Sequence, residues 1–191
     1  MILSKEAIIE EIAKWNIIIH DWNQLITDWT KLKTLKDQSI DVRLWEWILR
    51  NNEFQNISKN NERNNYFFPN NFILAHTQEF IWTKAGSWIL PTFKLKSSAW
   101  RMWIIHTLAG HWEVWFHNRW AMEFTLANNI YLEQFMSIWQ IYFTRVEWWE
   151  NEDYSKTWTY QKSNNIDEIV QNWKKEDILP PKNLKIINNI I

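Results

Sequence analysis

Apolar and polar residues alternate with a period of two in many short runs of this chain, while a helical period is clear only near its start. Ile8, Ile9 and Ile12 form an apolar stripe at helical spacing. Ser4 stands where a cap is needed, Glu6 falls in the first turn and Lys14 in the last, so a helix is predicted over residues 4–14. Residues 17–19 predict a short strand, and residues 39–44 alternate as a half-buried strand does. Residues 51–71, rich in Asn and charge, read as a long surface excursion. Further strands are predicted over residues 72–81, 102–107, 121–126, 130–132 and 138–143, with residues 91–101 leading into a Ser-Ser loop. A short helix is expected within residues 164–175, before Pro180-Pro181. Many short strands with little helix predict an all-β barrel or sandwich. No repeat and no internal boundary appears, so residues 1–191 read as a single domain, with residues 1–163 as the core and 164–191 as a C-terminal extension.

Glycine changes this picture. A turn-rich fold needs residues at positive φ, which glycine supplies most cheaply. The chain has 2 Gly and 17 Trp in 191 residues, whereas soluble proteins average about 7% glycine. Trp15 stands just past the first predicted helix, where a C′ glycine is expected. Trp158 sits in a polar turn, and Trp148-Trp149 in an acidic stretch. These are glycine environments, whereas the flanks of Trp22 and Trp173 make no such demand. Ile (26), Asn (21) and Lys (15), all with A/T-rich codons, make up about a third of the chain. The pattern suggests an A/T-rich genome in which UGA encodes glycine, translated here with UGA as tryptophan. The competing explanation is a Trp-rich stacking or sugar-binding module.

Charge and the remaining composition exclude several classes. Lys and Arg total 21 against 22 Asp and Glu, a net charge of −1, which argues against a nucleic-acid platform. The absence of cysteine excludes disulfides, a thiolate nucleophile and a cysteine-ligated zinc site. No apolar run approaches a membrane span, and polar residues follow Leu3 at once, so a cytoplasmic protein without a secretory signal is expected. The five His are scattered, and the His106/His111 spacing is no zinc signature.

Two clusters carry candidate chemistry. Lys96-Ser97-Ser98-Ala99-Trp100-Arg101 places two cations and two hydroxyls in six residues, a composition suited to phosphate but also common in solvated loops. Glu123 interrupts an apolar strand: facing inward it would be desolvated and fit for acid–base work, but strict alternation puts Met122 and Phe124 on one face and Glu123 on the wet one. Glu113 could orient a water, although alone it reads as a loop acid.

With the suspect Trp read as Gly, residues 97–104 become S-S-A-G-R-M-G-I and residues 109–116 become A-G-H-G-E-V-G-F. Residues 138–141 become I-G-Q-I, and residues 39–45 become S-I-D-V-R-L-G. With the opening Met1-Ile2-Leu3-Ser4 and Trp15, these segments, in register from residue 1 to about 161, resemble the dCTP deaminase family of the trimeric dUTPase-like superfamily. The resemblance implies a distorted jelly-roll-like β-barrel with a short N-terminal helix, assembled as a homotrimer with shared active sites. It implies hydrolytic deamination of dCTP to dUTP without a catalytic metal, with Mg²⁺ carried on the triphosphate. By position, Lys96 falls beside the phosphates, and Ser97 and Ser98 would hold phosphate and the attacking water, with Ala99 and Trp100 in the same segment. Arg101 matches the pocket arginine and Glu123 the catalytic glutamate. Ala109 would offer its carbonyl to the cytosine amino group, Glu113 would lie near the sugar, and Ala121 and Met122 would contact the base. Tyr154, and Gln161 further along, would belong to a tail that closes over the nucleotide.

The sequence departs from the family at Leu108, where Thr is usual, at Val114, where Pro is common, in a turn after Glu123 about two residues short, and in a tail lacking the lysine expected before Tyr160. A dUTPase or a bifunctional dUMP-forming enzyme shares the barrel and is the nearest alternative. Glu123 within its strand favours deamination.

Overall fold

The computed structural model describes residues 1–147 except 22, 23, 29–31, 33, 52, 59–64 and 107–118. The N-terminal stripe folds as predicted: helix α1 spans Lys5–Ala13 and buries Ile8 and Ile12. The Ser4 hydroxyl caps it, accepting the Ala7 N–H at 3.3 Å. Past its end, Trp15 N–H donates to the Ile12 carbonyl at 3.0 Å and Asn16 N–H to the Glu11 carbonyl at 2.9 Å. These two bonds form the Schellman motif, whose C′ residue must be left-handed. That residue is Trp15, at φ 61°.

The strands are β1 (Ile17–Asp21), β2 (Gln24–Leu25), β3 (Ser39–Val42), β4 (Leu44–Arg50), β5 (Glu53–Asn56), β6 (Tyr66–Phe67), β7 (Phe72–Thr83), β8 (Ile89–Leu95), β9 (Ile104–His106), β10 (Arg119–Leu126), β11 (Ile130–Tyr131) and β12 (Trp139–Arg145). A second helix, α2, spans Ser97–Arg101. The strands form antiparallel sheets of seven, two and three strands among the described residues, not a closed barrel.

β7 is the spine of the largest sheet. One of its edges pairs with β10, while the other is divided between β4 and β1. The smaller sheet runs β3-β12-β8. Between them lies a core of alternating side chains, including Ile40, Val42, Ile73, Ala75, Met122, Phe124, Ile141 and Phe143. Burial of this set is the main stabilising term. Phe93 stacks on Trp139 at 5.7 Å with 3° between the planes, and Phe124 meets the same indole edge-on at 4.9 Å.

Two local expectations are corrected. Residues 51–71 are not only a surface excursion, because they hold β5 and β6 and bury Ile57 and Phe67 completely. Two anchors in a polar segment are enough to tie it to the core. The predicted Ser-Ser loop is a single helical turn, closed by Trp100 N–H donating to the Lys96 carbonyl at 3.1 Å. The expected helix within residues 164–175 lies outside the described residues.

Candidate functional site

α2 gathers much of the first cluster on one turn. Ser97, Ser98, Trp100 and Arg101 are exposed, and Ala99 is buried as the anchor beneath them. Lys96, the N-cap residue, is held at its main chain by the Ile138 carbonyl, 3.0 Å from its N–H. Its side chain turns inward: Nζ donates to Asp41 Oδ2 at 2.6 Å and to Ser137 Oγ at 3.3 Å. Lys36 Nζ lies 4.0 Å from the same Asp41 oxygen. α2 feeds through Trp103 into β9, whose residues 104–106 pair with β10 at residues 124–126. The candidate anion turn and the strand carrying Glu123 are therefore neighbours.

On β10, Met122, Phe124 and Leu126 face the core, while Ala121, Glu123 and Thr125 face outward. Met122, fully buried, can meet a base only through its main chain. The outward face around the carboxylate is largely apolar. One row across the sheet reads Glu123, Leu74, Leu49, Phe54, and the next reads Ile105, Thr125, Phe72. Opposed side chains in such rows lie about 5 Å apart at Cβ. Both readings of Glu123 thus hold in part: it lies on the outer face, yet burial raises its pKa above the ordinary carboxylate value.

Beside Glu123 on the outer face lies His76, the cross-strand partner of Ala121. His76 is fully buried, and among the described residues neither ring nitrogen has a hydrogen-bond partner. Burial, and next the charge of Arg119, push its pKa down to about 3, so the ring stays neutral. Arg119 is itself lowered to about 10 by burial, and its guanidinium lies 3.5 Å from the Trp45 ring centroid and 4.9 Å from that of Phe80. Further along β7, Glu79 is clamped by Arg43, whose main-chain N–H donates to Oε2 at 2.9 Å and whose Nε donates to Oε1. Arg43 also reaches Asp21 at 2.7 Å. Burial nevertheless raises the Glu79 pKa, outweighing Arg43.

Sequence reasoning missed Asp41 as the partner of Lys96 and missed His76. The available signals were a lone carboxylate inside the alternation of residues 39–44 and a polar run, His76-Thr77-Gln78-Glu79, inside an apolar strand. Ala109, Glu113, Tyr154 and Gln161 lie outside the described residues. Among the described residues no three His, Cys, Asp or Glu side chains cluster as metal ligands, and no helix is long and apolar enough to cross a membrane.

The tryptophans divide by backbone. Of the nine that are described, Trp15, Trp88 and Trp103 have φ of 61°, 58° and 63°. A bulky residue there is an outlier. Trp103 repeats the geometry of Trp15: it follows the C-cap of α2, and its N–H donates to the Trp100 carbonyl at 2.9 Å. Trp120 and Trp139 instead lie in strands with their rings fully buried, and Trp120 Nε1 donates to the Ile81 carbonyl at 2.7 Å. At residue 139, one of the positions read as glycine, the backbone makes no demand for it.

The model of the family described as dCTP deaminase-like matches residues 2–146. Among solved structures, the chain is similar to the 2′-deoxycytidine 5′-triphosphate deaminase from Agrobacterium tumefaciens, with 14% identity and a TM-score of 0.60. The match covers 82% of this chain and 52% of that one, so it spans about half of the solved chain's length. No curated protein sequence matches.

Proposed function

The chain belongs to the dCTP deaminase-like family, and on that premise we propose that it hydrolyses dCTP to dUTP and ammonia as a cytoplasmic homotrimer. The observation that carries this reading is Glu123: a carboxylate of raised pKa on a largely apolar sheet face, one strand away from the turn bearing Ser97, Ser98 and Arg101. Ionised Glu123 takes a proton from a water that attacks C4 of cytosine. The carboxyl then delivers that proton to the ring, and Glu123 next takes the proton of the new C4 hydroxyl and passes it to the amine, so that the C4–N bond breaks, ammonia leaves and C4 becomes a carbonyl. Arg101 orients Glu123 and stabilises developing charge. Ser97 and Ser98 hold phosphate and water, with Lys96, Ala99 and Trp100 completing that segment. Ala121 and Met122 read the base through main-chain groups; Ala109, Glu113, Tyr154 and Gln161 close the site from other segments. Mg²⁺ travels with the substrate, held by phosphate oxygens and water rather than by a side-chain cage, and offsets triphosphate charge.

One variant and the products of the unaltered enzyme test this. Glu123→Gln should bind dCTP and release no ammonia; substantial turnover in that variant ends the assignment. With the unaltered enzyme, ammonia with dUTP supports the deaminase, whereas pyrophosphate with dUMP assigns the bifunctional alternative.

The same reading includes glycine in the natural protein at many tryptophan positions. Its support is steric: Trp15, Trp88 and Trp103 occupy left-handed backbone, two of them just past helix ends. A Trp-rich binding module has no need of indoles at such positions. Trp120 and Trp139, packed in the core, read as true tryptophans on the same criterion. Peptide mass mapping of the protein from its own source decides it: glycine masses at residues 15, 88 and 103 support the reading, and tryptophan masses refute it.

A further inference from the structure

We infer that Asp41 is a positioning residue for the triphosphate: with Ser137 it fixes the Lys96 ammonium so that its third N–H remains for a phosphate oxygen. The inference rests on the deaminase reading and adds a residue to it. Asp41 lies on β3, 55 residues from Lys96 in sequence, and is only 5% exposed. A carboxylate that deep is costly unless paired. Lys96 pairs with it at 2.6 Å, and Ser137 Oγ accepts a second N–H at 3.3 Å. An ammonium has three N–H donors, so one is left. The Lys96 side chain keeps about a quarter of its surface exposed, at 24%, so the pair is not sealed from solvent.

The main chain at Lys96 is pinned as well, by the Ile138 carbonyl on one side and by the first bond of α2 on the other. The clamp therefore sets the position of Ser97 and Ser98 along with the charge. Without Asp41, a flexible four-carbon side chain would have to be ordered again at each binding event. Lys36, at 4.0 Å from the same oxygen, leaves the group Lys36, Asp41 and Lys96 with a net charge of +1, so the clamp does not cancel the attraction for an anion.

The sign of one substitution separates this role from its opposite. If Asp41 merely repels phosphate, Asp41→Asn tightens binding; if it positions Lys96, Asp41→Asn loosens it. The test uses the full chain, carrying the residues that its own source incorporates at the tryptophan positions. Calorimetry measures the binding of dCTP and of inorganic tripolyphosphate, and steady-state assays measure KM and kcat.

Asp41→Asn is expected to weaken both ligands and raise KM by about tenfold, with kcat changed by less than about twofold. Lys96→Met should weaken them at least as much, and the double variant should be no weaker than Lys96→Met alone, since both changes remove one device. Unchanged or tighter binding by Asp41→Asn, or additive losses in the double variant, overturns the inference. Should Asp41→Asn fail to fold, Ser137→Ala, which keeps the carboxylate, is expected to weaken tripolyphosphate by about threefold, and unchanged affinity there overturns it. If the unaltered protein binds tripolyphosphate but releases no ammonia from dCTP, the deaminase reading fails while the clamp is still judged by binding. If it binds neither ligand, the clamp is refuted.

Discussion

A glycine–alanine comparison at residue 15 measures the backbone demand directly. Both substitutions remove the indole, which is 51% exposed, so its packing cancels from their difference. What remains is a Cβ in the left-handed region against glycine's greater chain entropy. The first costs an L-residue roughly 1–2 kcal/mol, and the second disfavours glycine by roughly 0.5–1 kcal/mol. Trp15→Gly should therefore exceed Trp15→Ala in stability by about 0.5–1 kcal/mol. At roughly 2–4 °C per kcal/mol for a chain of this size, its Tm should lie about 1–4 °C higher. Trp88 and Trp103 should show the same order, each at φ near 60°. Trp120 should show the reverse: both substitutions there empty a fully buried site at about 3–5 kcal/mol or more, with glycine the worse because strand backbone gains nothing from it. Paired urea titrations of the variants at residues 15 and 120 supply the measurement. Alanine equal to or better than glycine at residue 15 would refute the reasoning.

Two further expectations concern the buried titratable groups of β7. His76 is held neutral with a pKa of about 3, while the unfolded residue takes up a proton near pH 6.5. The unfolded state therefore binds more protons between these values, and stability falls as pH drops through that window, by up to about 1.4 kcal/mol per pH unit; His76→Leu should flatten the slope, and an unaltered slope in denaturation curves contradicts the burial. Arg43→Leu strands Glu79, whose side chain is 2% exposed, and should cost about 3–5 kcal/mol; pairing it with Glu79→Gln should recover part of the loss, and purely additive losses would show that the two groups do not act as a pair.

Much of the architecture was legible because several elements repeat a short period. Residues 39–44, 121–126 and 138–143 alternate, and all three contain strands of the structure. The stripe of Ile8, Ile9 and Ile12 gave α1 nearly to the residue. What could not be read locally depends on partners distant in sequence. β6 lies in a polar segment, and its pairing strand β11 is supplied from far along the chain; β5 pairs with the neighbouring β4, but with Phe54 as its one apolar residue it shows no period. α2 is too short for any period, and its closure depends on Lys96 being held by Ile138 and Asp41. His76 looks like an ordinary strand histidine until the register sets it opposite Ala121, beside Arg119. The distorted jelly-roll-like barrel implied by the resemblance is built, among the described residues, from antiparallel sheets that do not close, with β7 dividing one edge between β4 and β1.

Alternation placed Glu123 on the side of the strand away from the core, and the structure agrees, yet that side is not a solvent face in its chemistry. Its row continues through Leu74 and Leu49 to Phe54, and the row beside it presents Ile105 and Phe72, both 46% exposed. A carboxylate bounded by such residues is already partly desolvated, which is why its pKa is raised. If a second copy of the chain in the proposed trimer covers this face, it removes more water and pushes the pKa further in the same direction, favouring a group that accepts a proton from water and returns it to a leaving amine. Apolar area that is a liability on a single protomer would then serve the chemistry twice, holding subunits together and tuning the acid between them. The core-side residues of β10 fix where Glu123 stands, and the outward residues determine what it can do there.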